Sequence, residues 1–405
     1  MLRRWLVSVL AVCLAPVAML HSGAGASAHG RGRYIVVLKD AASAPAVAGT
    51  ASKKLGATIE NLFGTVNTLV LSLPRHGLGA LRHDPRVAYV APDRPVGLRA
   101  DSPPAALPAV PTGVARIGAA PALNPDGTVA VTTGPARNAA VAILDTGIMA
   151  RPDLNIVGRY DCSSSSDGST ADDNGHGSHV AGIVADKGIP GVVGVSPGTP
   201  LYAVKVVSAD GSGSMSGVIC GLNWVAQNAA ADHIKVVNMS LGGPGSDDGN
   251  CGKTDQDPLH TAVCRVTAAG VTVVAAAGND GGDLADSTPG AYDEVLTVTA
   301  MADFDGKPGG LAPTATCSDG GQDDTAADFS DYAVPGSPDA DHTIAAPGVC
   351  ITSTWNDGKT KTISGTSMAS PHVAGLVARC IDAGPCSGMT PAQIIAKLRA
   401  DAAAR

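Results

Sequence analysis

The fold is decided by the stretch AAVAILDTG, residues 139–147. Apolar residues that follow one another without alternation are typical of a strand buried on both faces of a parallel sheet. Open α/β sheets carry their functional side chains at the carboxyl ends of the strands, and Asp145 stands at such an end. Asp145 is therefore a candidate for chemistry, although an Asp at this position can also simply cap the next element. The stretch predicts an α/β protein with a parallel sheet.

A second polar motif, NGHGSHVAG, covers residues 174–182. Its glycines precede an apolar helical pattern, so a histidine of the motif lies at the start of a helix. Because glycine has no side chain, this helix start can approach the end of a neighbouring strand closely. His176 and His179 compete for the active position, and their spacing alone does not choose between them. A metal site is a further alternative, which is weakened because no glutamate shares the helix face with the two histidines.

The third motif, GTSMASPHVAG, covers residues 365–375. Ser367 stands at the start of a helix, where backbone N–H groups and the positive end of the helix dipole can stabilise an anion on a neighbouring carbonyl oxygen. An ordinary N-cap serine looks the same in isolation. Because an Asp, a His and a Ser motif occur together in one chain, the catalytic interpretation is favoured.

These motifs resemble those of the subtilisin-like serine proteases, the subtilases, which carry Asp, His and Ser in this order. LDTG (144–147) and the two longer motifs match without gaps, and the resemblance extends from Tyr34 to about Leu398. It implies an α/β fold with a doubly wound parallel sheet of the subtilisin-like kind, preceded by a small α+β propeptide domain.

The resemblance implies a catalytic role for Asp145, His176 and Ser367, and so selects His176 over His179 and Ser367 over Ser370. A serine hydroxyl is a poor nucleophile until a base takes its proton, which is the part of His176. Asp145 would orient the imidazole and stabilise its protonated form. Asn279, within AAAGND (275–280), matches the family asparagine that donates its amide to the oxyanion.

Two further segments match the strands between which subtilases hold an extended peptide as an added strand. The matching residues are Gly211, Ser212, Gly213, Ser240, Leu241 and Gly242. The primary specificity pocket would be lined by residues 275–278 and the loop 281–288, whose small residues predict an open, mainly apolar pocket. Asp283 or Asp286 would favour a basic substrate residue if either points inward.

The composition is that of a globular enzyme. The chain has 405 residues, of which 44% are hydrophobic and 16% charged, and this excludes a disordered protein. The 50 glycines and 28 prolines follow no Gly-X-Y period, which excludes collagen. Apart from Glu60 and Glu294, every acidic residue is an aspartate, a residue of turns and caps.

Charge divides the chain unevenly. Residues 29–108 carry ten basic and five acidic side chains, whereas residues 109–405 carry 16 basic and 31 acidic ones. Two independently solvated surfaces would explain this, but complementary charge between two parts that bind each other is the sharper hypothesis. The excess of acidic side chains in residues 109–405 argues against nucleic acid as a partner, because binding phosphate groups requires clustered Lys and Arg.

Residues 1–28 have the pattern of a secretory signal peptide: a cationic start, an apolar run and the small residues Ala26-Ser27-Ala28. A membrane anchor is the alternative, but the apolar run from Leu6 to Leu20 is short for a bilayer span and is interrupted by Pro16. We expect a secreted, extracellular protein that is a monomer and has no membrane partner.

Strand-like runs at 33–38 and 68–73, and a third run that ends at Val90, predict an α+β module within residues 33–100. A module of this size without cysteine should be only marginally stable alone. Its YIVVLKD opening (34–40) and DPRVAYVAPD close (84–93) resemble the subtilase propeptide, which folds on the enzyme, blocks its cleft as an intramolecular inhibitor and is removed by self-cleavage.

The expected domains are a signal peptide (1–28), an inhibitory propeptide domain with its linker (29–105) and a peptidase domain (106–405). The Pro- and Ala-rich stretch Arg99–Pro111 is predicted to be the linker that is cut. The mature chain should begin between about Arg99 and Ala109.

Eight of the nine cysteines lie beyond residue 160, an even number that favours disulfides in an exported chain. Short spacing in the sequence favours the disulfides Cys251–Cys264 and Cys380–Cys386. The pairing Cys317–Cys350 has less support, and Cys162–Cys220 is the pair that then remains. A zinc site is the alternative, but there is no Cys-x-x-Cys pair.

The resemblance implies catalysis without a cofactor. Structural calcium is common in the family, and Asp153 matches one of its ligands, yet the loop Asp186–Val195 that should supply other oxygens looks short. We therefore leave calcium open. The insertion Pro244–Asp257 and the loop Ser318–Asp328 have no role that the sequence reveals.

We expect a serine endopeptidase that cleaves protein or peptide substrates by a Ser-His-Asp acyl-enzyme mechanism and is made as an autoprocessed zymogen. A catalytically silent binding protein on the same fold is the main alternative. A membrane-anchored maturation protease is disfavoured because no apolar span stands near Arg405. The Asp-Thr-Gly form of the first motif favours a degradative over a kexin-type processing enzyme.

Overall fold

The computed structural model describes residues 30–98, 110–119, 139–163, 170–188, 192–310, 312, 317 and 321–404. The predicted signal peptide and residues 99–109 of the predicted linker lie outside these ranges. So does part of the loop Ser318–Asp328.

The N-terminal module, residues 30–98, is an antiparallel sheet covered by two helices. Its elements are β1 (Arg31–Leu38), α1 (Ala44–Leu55), β2 (Thr58–Phe63), β3 (Thr68–Pro74), α2 (Leu78–Arg82), β4 (Val87–Pro92) and β5 (Pro95–Leu98). The first four strands form one sheet in the order β2-β3-β1-β4, and β5 leaves it. The three predicted strand runs correspond to β1, β3 and β4.

The sequence prediction missed α1, β2 and β5. Helix α1 has a proline in its first turn and ends on Gly56 at φ 66°, which are ordinary helix start and stop signals. Strand β2 is an edge strand with mostly exposed side chains, so it lacks the apolar alternation that marks a strand. Strand β5 is short and pairs only with strands from far along the chain.

The rest of the described chain forms the main domain. Its strands are β6 (Ala140–Asp145), β7 (Ile156–Asp161), β8 (Leu201–Lys205), β9 (Ser212–Ser214), β10 (Ile234–Met239), β11 (Leu241–Pro244), β12 (Thr272–Ala276), β13 (Ser287–Thr288), β14 (Val295–Met301), β15 (Thr343–Pro347), β16 (Ile351–Thr354) and β17 (Thr360–Ile363). Its helices are α3 (Thr112–Arg116), α4 (His176–Ala185), α5 (Met215–Asn228), α6 (Pro258–Ala268), α7 (Thr366–Ala383) and α8 (Pro391–Ala403).

Seven of these strands form the central sheet, in the order β15-β14-β12-β10-β6-β8-β7. Every neighbouring pair in it is parallel. Strand β6, the predicted buried strand, lies inside the sheet, and all six of its residues are buried. The predicted α/β fold with a doubly wound parallel sheet is confirmed.

Strand β6 shows why the run of apolar residues does not alternate. Val141 and Ile143 belong to the apolar cluster on the side of α4, α7 and α8. Ala140, Ala142 and Leu144 belong to the cluster on the side of α5 and α6. Helices therefore cover both faces of the sheet, and each face of the strand needs apolar side chains.

The N-terminal module packs its sheet against α5 and α6. Ile35, Phe63, Val66 and Val70 of the module belong to the same apolar cluster as residues of these two helices. The other face of the module's sheet has its own small core beneath α1 and α2. The module thus shares one of its two apolar faces with the main domain.

Polar contacts fix the position of the module. The Tyr89 hydroxyl lies 2.7 Å from Thr261 Oγ1 on α6. Asp93 accepts hydrogen bonds from the backbone N–H of Ser216 at 2.9 Å and from its hydroxyl at 2.6 Å. Ser216 lies in the first turn of α5, where the helix dipole favours a negative charge. Arg94 forms an ion pair of 3.4 Å with Asp257, just before α6.

Four disulfides join the cysteines of the main domain as predicted. They are Cys162–Cys220, Cys251–Cys264, Cys317–Cys350 and Cys380–Cys386. The alternative of a zinc site built from cysteines is therefore wrong. Among the described helices, none combines the length and the apolar character that crossing a bilayer requires.

Candidate active site

The chain brings Asp145 and His176 into direct contact. Asp145 is the last residue of β6, and His176 is the first residue of α4. The Nδ1 atom of His176 lies 2.8 Å and 2.9 Å from the two carboxylate oxygens of Asp145, and both side chains are buried. A buried carboxylate on Nδ1 fixes the ring and directs Nε2 away from the strand.

Gly177 allows this close approach. A Cβ atom at this position would lie 2.1 Å from the Gly147 carbonyl oxygen and 3.2 Å from the Asp145 carboxylate. No side chain fits there, so the second glycine of the His motif is required for packing α4 against the end of β6.

Asp172, which the sequence analysis did not single out, organises the loop before α4. One of its oxygens accepts hydrogen bonds from the Thr146 hydroxyl and from the N–H groups of Asn174 and Gly175. The other accepts from the N–H and the hydroxyl of Ser178. Asp172 thus ties the residue after Asp145 to the residues around His176. Its signal in the sequence is the turn pattern Asp-Asp-Asn-Gly at 172–175.

Ser367 lies in the first turn of α7, and its side chain is buried. Pro371 stands four residues later inside this helix and has no N–H to donate to the Ser367 carbonyl. The Ser240 hydroxyl donates to this carbonyl instead, at 2.9 Å. Asn238 and Ser370 contact the same hydroxyl, each at 2.9 Å, so a buried polar network supports the start of α7.

The Ser367 hydroxyl donates to the Ser240 carbonyl at 2.9 Å. Among the described residues, Nε2 of His176 has no hydrogen-bond partner. The structure therefore joins His176 to Asp145 but does not make the Ser367–His176 hydrogen bond. Such bonds are often absent until a substrate is bound.

Asn279 lies beside the start of α7. Its Oδ1 atom accepts hydrogen bonds from the Thr366 N–H at 3.0 Å and the Thr366 hydroxyl at 2.8 Å. Because both Thr366 donors bind Oδ1, the Nδ2 group of Asn279 takes part in neither of these contacts. Asp331 fixes the same loop by accepting from the N–H groups of Asp280 and Gly282.

His179 and Ser370 occupy structural positions. Nε2 of His179 contacts the carbonyl oxygens of Ile351 and Lys361 at 3.2 Å and 2.9 Å. Burial, together with the neighbouring His176, lowers the pKa of His179 to about 3. Ser370 is fully buried against Ser240. Both side chains are thus engaged in contacts within the core of the described structure.

The two predicted substrate segments form β9 and the start of β11, and β5 lies between them. Val96 pairs with Gly213 of β9, and Gly97 pairs with Ser212. On the other side Gly97 pairs with Gly242 and Leu98 with Leu241. Both pairings are antiparallel, and the Leu98 N–H also donates to the Gly211 carbonyl at 3.2 Å. Ser240 precedes β11 and contributes to the network beneath Ser367.

The loop predicted to line the specificity pocket follows β12. Ala275, Ala276 and Ala277 are buried. Asp283 accepts a hydrogen bond from the Ala285 N–H at 3.1 Å and so caps a short turn, while Asp286 is exposed.

Asp153, the predicted calcium ligand, is bound by an arginine. The Arg151 guanidinium donates to both Asp153 oxygens at 2.6–3.1 Å, and the Asp153 side chain is buried. A positive side chain therefore stands where a cation would be needed. Burial, the main cause, raises the pKa of the neighbouring Asp186 to about 7, so this group is a weak anion. The described residues around Asp153 do not fit a calcium ion.

Comparison with known proteins decides the family. The model of the subtilase family, Peptidase S8, matches residues 136–405. The chain belongs to the subtilase family. This subtilase is 37% identical to M-protease of Shouchella clausii (strain KSM-K16) over 317 residues, which is 78% of this chain and 69% of that protein. It is 34% identical to subtilisin E of Bacillus subtilis (strain 168) over 378 residues, 91% of this chain and 85% of that one.

A solved structure, that of a cold adapted subtilisin-like serine proteinase, is similar to this subtilase with a TM-score of 0.50 and 32% identity. The similarity covers 70% of this chain and 88% of that one. These relatives show that the subtilase is a serine endopeptidase. Members of the family need no cofactor for catalysis.

Proposed function

We propose that this subtilase cleaves peptide bonds with Asp145, His176 and Ser367 as its catalytic triad. The observation that carries the proposal is the 2.8 Å contact between His176 and Asp145 at the carboxyl end of β6, on a helix α4 that packs against α7, whose first turn contains Ser367. His176 takes the proton of the Ser367 hydroxyl as Oγ attacks the substrate carbonyl. Asp145 stabilises the imidazolium, and His176 then donates the proton to the leaving amine.

Asn279 stabilises the oxyanion in this mechanism. Thr366 holds the amide oxygen of Asn279, so the amide N–H groups are the part left to donate. The backbone N–H of Ser367 is the second donor, at the positive end of the α7 dipole. Fixed donors of this kind stabilise the transition state because they need no reorganisation when charge develops.

We infer that the N-terminal module is the inhibitory propeptide. Its strand β5 lies between β11 and β9 in a four-stranded antiparallel sheet of the order β13-β11-β5-β9, as an extended peptide substrate would. Val96 is buried there, and its side chain lies against Gly213. A tail that already fills the groove blocks other peptides until it is released.

The register of β5 suggests which bond is processed. Gly97 pairs with Gly242 and Leu98 with Leu241, which follows Ser240 directly in sequence. The Ser240 carbonyl accepts the hydrogen bond of the Ser367 hydroxyl. We therefore propose cleavage between Arg99 and Ala100, at the upstream end of the window that the sequence predicts.

Expression of the full chain and of Ser367→Ala tests these proposals together. The parent chain should yield a mature protein whose N-terminal sequence begins at Ala100, and Ser367→Ala should keep the module attached. A chain with Ser387→Ala, a change at an exposed serine, serves as the matched control and should still be processed. Processing of Ser367→Ala in a protease-free host would contradict self-cleavage, and an intact parent chain without peptidase activity would support a binding protein.

We also propose that the protein is secreted. The support is the signal-peptide pattern of residues 1–28 and the four disulfides, which persist in oxidising compartments. Finding the mature protein in the culture medium, with its thiols unreactive, is the expected result.

A further inference from the structure

The insertion Pro244–Asp257 lies between β11 and α6 and brings acidic side chains to a buried histidine. His260 stands in the first turn of α6 and is 1% exposed. Its ring stacks on Tyr292, with ring centres 4.1 Å apart and planes within 3° of parallel. The ring orientation is therefore fixed by packing before any polar partner is considered.

The two ring nitrogens of His260 have different surroundings. Nε2 lies 2.8 Å from a Glu294 oxygen, the distance of a good hydrogen bond. Nδ1 faces Asp247 at 3.3 Å and Asp248 at 3.4 Å, and it has no hydrogen-bond partner among the described residues. Charge-assisted N–H···O bonds are normally shorter, about 2.7–2.9 Å.

The distances of 3.3 Å and 3.4 Å from Nδ1 to the two carboxylates are those expected between two ligand atoms of one metal ion. A tetrahedral zinc ion with bonds of about 2.0–2.1 Å separates its ligand atoms by about 3.4 Å. The ligand atoms of Asp247, Asp248 and His260 all lie within 4.8 Å of one another. The hydrogen bond from the other ring nitrogen to Glu294 is what a metal-binding histidine commonly makes, since it leaves the ligating nitrogen without a proton.

Both carboxylates are already held in place. Asp248 accepts hydrogen bonds from four backbone N–H groups of residues 250–255, and its side chain is 2% exposed. Asp247 accepts from the N–H groups of Gly249 and Asp293. The donor groups are thus preorganised, and binding an ion would require little ordering of the loop.

A second donor set near His260, formed by Cys251, Cys264 and Glu294, does not compete. Its two cysteines are joined in a disulfide and provide no thiolate.

We propose that Asp247, Asp248 and His260 bind one divalent cation of the zinc class, with a solvent molecule at the remaining position. One imidazole nitrogen and two carboxylate oxygens are a donor set that zinc accepts, whereas calcium and magnesium prefer oxygen alone. The ion ties the insertion to α6 and, through Glu294, to the start of β14. Because the insertion begins at the end of β11 and contains Asp257, the ion stabilises one wall of the substrate groove and the contact with Arg94.

Metal titration of the full chain tests the proposal independently of the peptidase activity. Untagged Ser367→Ala protein, treated with EDTA and dialysed, is titrated calorimetrically with zinc chloride and, in parallel, with calcium and magnesium chloride. We expect one zinc ion per chain, a higher Tm with zinc, and no comparable effect of the other two. Cobalt should give the visible absorption of a tetrahedral complex.

Variants locate the ion. Asp247→Asn and His260→Gln should abolish tight zinc binding, and Glu294→Gln should weaken it about 10- to 100-fold. Asp255→Asn removes the same charge from the same insertion and should leave the affinity unchanged. Circular dichroism of the metal-free variants checks folding, and two separate ligand variants keep the test valid if one does not fold. Zinc binding weaker than about 1 mM, or equal binding by a folded Asp247→Asn, overturns the proposal and leaves an ion pair of protonated His260.

Discussion

The buried carboxylate of Asp172 connects the two motifs that carry Asp145 and His176. It takes no part in proton transfer, but it accepts five hydrogen bonds from Thr146 and the start of the His motif. A carboxylate can accept on both oxygens, whereas an amide accepts on one only. The position of His176 relative to β6 thus depends on a residue that the mechanism itself does not use.

Asp172→Asn should lower kcat by about 10- to 100-fold, because a small displacement of His176 disturbs its alignment with Ser367. KM should stay nearly unchanged, because the groove strands β9 and β11 do not contain this residue. Steady-state kinetics on a peptide substrate checks this. Asp357→Asn, an exposed turn residue, is the matched control. A change in KM with unchanged kcat would contradict the positioning role.

Asn279→Ala tests the oxyanion donor. We expect kcat to fall by about 100- to 1,000-fold with little change in KM, the size measured for the oxyanion asparagine of subtilisin itself. Thr366→Val, which removes one of the two donors that hold Asn279, should give a smaller loss in the same direction. Equal activity of Asn279→Ala and the parent enzyme would remove Asn279 from the mechanism.

The buried His372 side chain makes the free energy of unfolding depend on pH. Burial lowers its pKa to about 4, below the value of about 6.5 in an unfolded chain. Between these values the unfolded state binds more protons, so stability is full above about pH 6.5 and falls as the pH drops towards 4. The loss attributable to this group is on the order of 3 kcal/mol, at about 1.4 kcal/mol for each unit of pKa.

Urea unfolding of Ser367→Ala at about pH 7 and pH 4.5, with and without His372→Gln, measures this effect. The variant should lose less stability on acidification than its parent. His179, whose pKa is lowered to about 3, acts in the same direction and Asp186 in the opposite one, and both cancel in the comparison. Identical pH dependence of the two proteins would contradict the assignment.

At this scale the sequence motifs identified Asp145 and His176, which are in contact, but not the residues that hold them in place. The triad candidates and Asn279 stand in continuous motifs with polar residues in apolar surroundings. Asp172 binds Thr146, Thr366 binds Asn279 and Asp331 binds Asp280, each across 26 or more positions, and no spacing in the sequence reveals such pairs. The Arg151–Asp153 pair, which argues against calcium, is only two positions apart in the sequence and could have been noticed there.

Among the elements, strand β5 depends most on its surroundings. It has four residues, and its two neighbours come from segments more than 100 positions away. Val96 buries its side chain against the groove, which stabilises the complex by about 1.5–3 kcal/mol.

Val96→Asp in the propeptide should therefore weaken inhibition of the mature enzyme by about 10- to 100-fold. The measurement adds the separate propeptide, residues 29–99, to mature enzyme and determines its inhibition constant. Ala88→Asp introduces the same charge at an exposed position of β4 and should have little effect. Equal inhibition constants for the parent and Val96→Asp would show that β5 does not occupy the groove in solution.

Long apolar segments were predictable as elements, and short paired strands were not. Strand β6 and helix α7 have enough residues with one clear pattern. Strands β5, β9 and β13 have between two and four residues, and glycine, serine or proline make up much of them. Such segments become strands only because a partner supplies the hydrogen bonds.

For the whole molecule, the contrast between a cationic module and an anionic main domain describes the interface incompletely. Arg94 and Asp257 follow the expected signs. Asp93, however, faces the anionic domain with its charge paired to Arg33 of its own module, and it accepts hydrogen bonds from the N–H and the hydroxyl of Ser216 at the N-terminus of α5. The partial charge of a helix end does not appear in a count of charged side chains.

The isolated module, residues 29–99, should be largely unfolded. When the main domain is absent, one apolar face of the module is exposed to water; it is formed by Ile35, Phe63, Val66 and Val70. A domain of this size buries too little apolar surface to compensate for that loss. Circular dichroism should show a gain of structure on adding mature Ser367→Ala protein. A cooperative thermal transition of the module alone would contradict this expectation.

The groove that β5 occupies lies between two strands whose backbone groups face inward, and this sets a condition on any protein that takes the place of β5 there. A segment can pair with both β9 and β11 only after it has left its own helix or sheet. For folded proteins the rate of cleavage should therefore follow how often a local region of the substrate opens, more than which residues that region contains. The regions of a folded substrate that exchange their amide hydrogens fastest should therefore be the first regions that this protease cuts.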